Sequence, residues 1–171
     1  MQHYGAPTRL LDWTDSALVA LFFAVNSGPP TRPSETDAAV WILNPFALNR
    51  LVVNVDSTIQ TDWNVAGWYL NPVYEGKLTQ ELPIAIDPVH TAQRIAVQFS
   101  RFTVHGTRPE GLLRATSKRD CLVKVKIPAS HLDSIRTDLR TCGILDTSVF
   151  PDIEGLSRDL IRFWKTPWPL E

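Results

Sequence analysis

The densest group of chemically capable side chains lies at the amino end, in Met1-Gln2-His3-Tyr4-Gly5-Ala6-Pro7-Thr8-Arg9-Leu10-Leu11-Asp12-Trp13-Thr14. Arg9 offers a planar fork of N–H donors that matches a phosphate or a carboxylate. Asp12 is close enough in sequence to pair with it, and an unpaired charge away from water is costly. Two readings follow: the pair locks this segment against the fold, or Asp12 orients an Arg9 that grips an anionic ligand. His3 suits a hydrogen bond to a ligand hydroxyl or a structural role. Tyr4 and Trp13 are flat rings fit to stack on a base or nicotinamide, or to fill the core. A second group is Arg94, Gln98 and Phe102. If the chain is extended there, Arg94 and Gln98 are an even number of residues apart and face the same way, lining a cleft or joining a sheet-edge network.

Other chemistries lack their signals. There is no GxSxG, no phosphate-binding GxxxxGK[ST] and no GxGxxG. His90, His105 and His131 lack metal-ligand spacing, so no metal site is expected. Acidic pairs such as Asp152 and Glu154 fall where a helix begins and are explained by the helix dipole. The net charge of −1 argues against nucleic acid as a partner, although small basic clusters occur around Arg114 and Lys124. No signal peptide is visible, and the one long apolar run is about half of a membrane span, which reads as a cytoplasmic protein. Cys121 and Cys142 lack CxxC spacing, and both read as buried thiols.

These groups need elements to hold them. The amino-terminal segment reads as a Gly/Pro-punctuated loop running into a helix from about Ser16 to Asn26, capped by Thr14 or Asp15. Ala17 to Val25 are apolar on every face, so this helix should be covered all round. Ala38 to Leu43 reads as a buried strand stopped by Pro45, followed by a helical turn over Phe46 to Leu51. Residues 52–80 read mostly as loop. Strands are expected over Leu82 to Ile86, Arg94 to Phe99, Phe102 to Val104 and, with alternating lysines, Leu122 to Ile127. Arg108 to Ser117 reads as loop with one helical turn. Ser130 then caps a helix to about Thr141, with Gly143 as its stop. A last helix spans about Asp152 to Trp164, with Ile153, Leu156, Leu160, Ile161 and Trp164 on one stripe. Strands and helices mix without a βαβ rhythm. The expectation is an α+β fold: one domain over residues 1–171, with a small mixed or antiparallel sheet, a buried N-terminal helix and two C-terminal helices.

QHYGAPTRLLDWTDSALVALFFAV closely resembles the signature of the FRG domain family, roughly QHYG-x-PTRLLDWT-x-SP-x-x-ALYFA, with Ala17 where proline is common. RIAVQFSRFTVHG, Arg94 to Gly106, is similar to the family's R-I-x-x-Q-x-G-x-F-T segment, with Ser100 at the glycine. SVFPDIEGLSRDL, Ser148 to Leu160, is similar to its closing F-P-D-L-x-G-L helix. The upstream aromatic-Arg-Gly motif that names the family is absent. The expectation is therefore a domain lacking its N-terminal part, with some of the Ala17–Val25 helix uncovered unless a partner or second copy covers it. The resemblance implies a bacterial or phage protein of toxin, toxin–antitoxin or phage-defence type. The order of parts also resembles ADP-ribosyltransferases, in which an arginine holds NAD, a Ser/Thr element shapes the nicotinamide pocket and a late glutamate binds the ribose.

On that resemblance Thr14 takes the second role and Gln98 the third, with NAD as co-substrate. His3 joins them as a catalytic candidate, and Arg9, Tyr4, Asp12, Trp13 and Arg94 are the candidate cofactor-binding residues. Two other functions remain open: a non-catalytic module for a nucleotide or phosphate ligand, and a toxin fragment completed or neutralised by a partner or antitoxin.

Overall fold

A computed structural model describes residues 8–26, 36–61, 69, 80–87, 97–108, 110–116 and 121–165. His3, Tyr4 and Arg94 lie outside them, as does most of the strand expected from Arg94. The class is α+β. The described elements are β1 (Leu10–Thr14), α1 (Ala17–Asn26), β2 (Ala38–Leu43), α2 (Pro45–Val53), β3 (Ile59–Gln60), β4 (Ile84–Asp87), β5 (Ser100–Val104), α3 (Gly111–Thr116) and β6 (Leu122–Ile127). A 3-10 turn (Ala129–His131), α4 (Leu132–Thr141), α5 (Asp146–Val149) and α6 (Ile153–Lys165) complete them. One sheet has the order β1-β5-β4-β3 and is mixed: β3 is parallel to β4, and β4 antiparallel to β5. β2 and β6 form a second, two-stranded sheet.

Contacts divide the chain into two compact units, one of Met1–Trp13, Trp41–Val89 and Arg101–Val125, the other of Thr14–Val40, His90–Ser100 and Lys126–Glu171. In the first, Ile59, Tyr69, Ile84, Ile86 and Val104 form one apolar cluster, and Leu48, Ala85, Leu112 and Ala115 another. α2 is joined to β4 by Asn49, which is fully buried. Its amide donates to the carbonyls of Ser57 and Ala85, each at 2.8 Å, and its Oδ1 accepts from the Ala85 N–H at 2.8 Å. The side chain therefore pairs with Ala85 as a neighbouring strand would, satisfying backbone groups that burial would otherwise orphan. Pro45 opens α2 at its first position, where no N–H is needed, and Asn44 caps it by accepting from Ala47 N–H at 3.0 Å.

In the second unit the core is Val19, Phe22 and Val25 of α1 with Ile127, Leu132, Leu139, Val149 and Phe150. α1 is thus buried along one stripe, not all round: Leu18 and Phe23 are exposed. Its cap is Ser16 rather than Thr14 or Asp15. Ser16 Oγ accepts from Val19 N–H at 3.3 Å, while Thr14 Oγ1 accepts from Ser16 N–H at 3.0 Å. Asp159 of α6 holds the start of α5, accepting from the N–H groups of Asp146 and Thr147 at 3.0 and 2.8 Å.

Other expectations are corrected locally. Leu10–Thr14 is a strand rather than loop, because its backbone finds a partner in β5, a pairing invisible in the local sequence. Asp15 N–H donates to Phe99 O and His105 N–H to Arg9 O, an order that runs oppositely along the two chains. β5 runs unbroken from Ser100 to Val104, and the extended run expected to reach Phe99 is instead a turn at Gln98 and Phe99, with Phe99 left-handed at φ 50°. Ser130 sits inside the 3-10 turn and caps nothing. Cys121 is buried as expected; Cys142 is exposed, and both are free thiols. Gly143 does stop α4, at φ 78°, where a side chain would be strained.

Candidate functional site

The described candidates fall into two groups, one in each unit. In the first unit, Arg9 precedes β1 and is partly buried. One of its terminal nitrogens donates to the carbonyl of His105 at 2.7 Å, the other to the carbonyl of Tyr69. The backbone returns the contact, since His105 N–H donates to Arg9 O at 2.8 Å. Asp12 is not its partner. Arg9 lies before β1 and gives its fork to two carbonyls, while Asp12 is exposed on the strand. Among the described residues no carboxylate pairs with Arg9, and two of its five N–H donors meet described acceptors, the carbonyls of His105 and Tyr69. Burial lowers its pKa, as expected for a cation losing water.

Beside it runs a short polar chain. Trp13 Nε1–H donates to Thr103 Oγ1 at 3.1 Å, and Thr103 Oγ1 lies 3.2 Å from His105 Nε2. Thr103 is fully buried, so its hydroxyl proton needs an acceptor within the protein. The network assigns that acceptor as His105 Nε2, which makes the ring neutral with its proton on Nδ1. Protonating Nε2 would orphan the Thr103 O–H, and burial independently lowers the His105 pKa below its ordinary value. The Trp13 ring, with its N–H spent, packs against the Leu48–Leu112 cluster, so its role is packing. Tyr69 is buried; its hydroxyl donates to Leu82 O at 2.6 Å, and burial pushes its pKa up to about 12. The corner is rich in donors, from the Arg9 fork to the His105 Nδ1–H, and its own residues bring no acid.

In the second unit, Thr14 and Gln98 do converge, but through the backbone. Thr14 Oγ1 donates to the Gln98 carbonyl at 2.6 Å while accepting from Ser16 N–H, so both functions of the hydroxyl are used. The Gln98 side chain is buried and donates through Nε2 to Val149 O at 3.0 Å. Both serve to fix the turn before β5.

Sequence reasoning missed Thr103, His105 and Tyr69. His105 has no metal-ligand spacing, but another signal does exist: Thr103 and His105 are two apart and share one strand face, as Arg94 and Gln98 were expected to do. Among the described residues no group of His, Cys, Asp and Glu could hold a metal ion, and no helix is long and apolar enough to cross a membrane.

The chain thus belongs to the α+β class, with a donor-rich corner at the end of β5. The family model for the FRG domain matches residues 1–32, a minor part of the 171-residue chain that includes Arg9, Asp12, Trp13 and Thr14. No curated protein and no solved structure matches it.

Proposed function

We propose that this chain is an FRG-like binding module that takes an anionic ligand, a nucleotide or another phosphate-bearing molecule, at Arg9, without turning it over. One observation carries the reading: a partly buried guanidinium that spends two donors on carbonyls and has no carboxylate partner among the described residues. Such a cation is costly, and an anion docking on the N–H groups that meet no described acceptor offsets that cost with charge-assisted hydrogen bonds. His105 Nδ1–H adds a neutral donor at the same corner.

The test is thermal stabilisation by inorganic phosphate, ADP, ATP and NAD, each at low and high salt. A ligand at about 100 times its Kd adds about 2.7 kcal/mol of stability, and salt should weaken the effect. Arg9→Gln keeps hydrogen-bonding capacity toward the carbonyls and removes the charge. It should stay folded by circular dichroism and lose the stabilisation. No stabilisation of the wild type by any of the four, or equal stabilisation of the variant, refutes the proposal.

A second reading is an NAD-cleaving, ADP-ribosyltransferase-like toxin or defence effector. Thr14 meeting Gln98 favours it, as the order-of-parts resemblance requires. It ranks lower because the Gln98 amide is committed to Val149 and carries no charge to stabilise a sugar cation. Release of nicotinamide on incubation with NAD, lost in Gln98→Leu, would reverse the ranking.

A further inference from the structure

α6 is amphipathic, and it lies against its own unit with the polar side inward. Gly155 is buried so closely that a Cβ there would meet Phe150 O at 2.0 Å and Asp146 O at 2.9 Å. Arg158 stacks over the Phe150 ring at 4.8 Å, and Asp159 caps α5. At 100° per residue these three positions share one face. Ile153, Leu156, Leu160, Ile161 and Trp164 cover the opposite face, and all are exposed: Ile153 by 86%, Trp164 by 81% and the others by about half. A helix in water normally shows the reverse arrangement, and an apolar face of this kind marks an interface.

We propose that this face pairs with the same face of a second copy of the chain, the two α6 helices running antiparallel about a two-fold axis. Area is the first argument. At roughly 200 Å² per large apolar residue, the exposed part of the stripe comes to on the order of 600 Å². A standard stable interface buries about 800 Å² per partner.

Charge is the second argument. The helix carries Glu154 near its start and Lys165 at its end in sequence. An antiparallel pair sets each acidic end beside the partner's basic end and opposes the two helix dipoles. A two-fold axis needs one self-complementary surface, and a stripe with oppositely charged ends supplies it. Positions 154 and 165, about three turns apart, fall on the same edge of the stripe, where antiparallel helices exchange charges.

Light scattering and sedimentation of the full chain from about 1 to 100 µM should show a monomer–dimer equilibrium, the micromolar range expected of a modest interface. Leu160→Glu should shift it to monomer, with an unchanged circular dichroism spectrum. Glu154→Lys and Lys165→Glu should each weaken dimerisation by about tenfold, and the double variant should restore it. Both changes oppose the helix dipole, so weakening through loss of the helix would be worst in the double variant; rescue therefore reports pairing between copies. A wild type that stays monomeric at 100 µM overturns the proposal, whether or not it binds anionic vesicles through this face. So does a Leu160→Glu protein that still dimerises, or a double variant without rescue.

Discussion

Replacing Thr103 by valine removes one hydroxyl and almost no volume, so it isolates the polar chain from Trp13 to His105. The wild-type hydroxyl accepts at 3.1 Å from Trp13 and donates across 3.2 Å to His105. Two such bonds contribute about 1 kcal/mol each, and the added methyl returns a fraction of that. The expected loss is about 1–2 kcal/mol, or about 3–6 °C in Tm for a chain of this size. Thr103→Ser keeps the hydroxyl and should retain the polar part of that stability. The pH dependence is the sharper assay. His105 has its folded pKa lowered below the ordinary value of 6.5, so the folded state binds fewer protons than the unfolded state near that pH. Its contribution is fully present above pH 6.5 and is lost as pH falls toward the folded pKa. In Thr103→Val the donor to the neutral ring is gone. The His105 midpoint, followed by NMR of the ring C–H, should move back up, and the loss of stability below pH 6.5 should shrink. A valine variant as stable as the serine variant, with an unmoved His105 midpoint, would refute the assigned tautomer and the relay.

Asn49→Ala should cost about 3–5 kcal/mol by urea denaturation, since it deletes three hydrogen bonds and leaves the buried Ala85 N–H and C=O unsatisfied; a loss under about 1 kcal/mol would contradict the strand-like role given to this side chain. Gly155→Ala should destabilise by about 2 kcal/mol although alanine is the better helix former by about 1 kcal/mol, because the new methyl collides with the Phe150 carbonyl. A Gly155→Ala protein with a raised Tm would show that α6 is not seated against Phe150 as described.

Much of this architecture was legible because its signals are local. Pro45 after an apolar run marked the end of β2, Gly143 marked the end of α4, and the Ile/Leu/Trp spacing after Pro151 marked α6. The failures share a cause: each depended on a distant partner. β1 is a strand only because β5 runs beside it, and no local pattern in LLDWT announces that. α1 reads as apolar all round, yet which of its residues are buried depends on where α4, α5 and Phe150 lie. The stripe on α6 was visible, but not that it faces outward, because that follows from Gly155 and Asp159 seating the opposite side. At the candidate site, Arg9 was singled out as a residue needing partners. The partner chosen from sequence proximity was wrong, because two backbone carbonyls do what Asp12 was expected to do. Gln98 was expected to line a cleft or join a sheet-edge network, and its buried amide instead donates to Val149.

The bonds that hold the Arg9 corner also have a consequence for biosynthesis. Arg9 reaches across 60 and 96 residues to its two carbonyls, and Trp13 across 90 to Thr103. β1 must therefore wait, with its hydrogen-bonding groups open, until β5 has emerged. Closure over such long separations makes for slow folding and a prolonged window of vulnerability to aggregation.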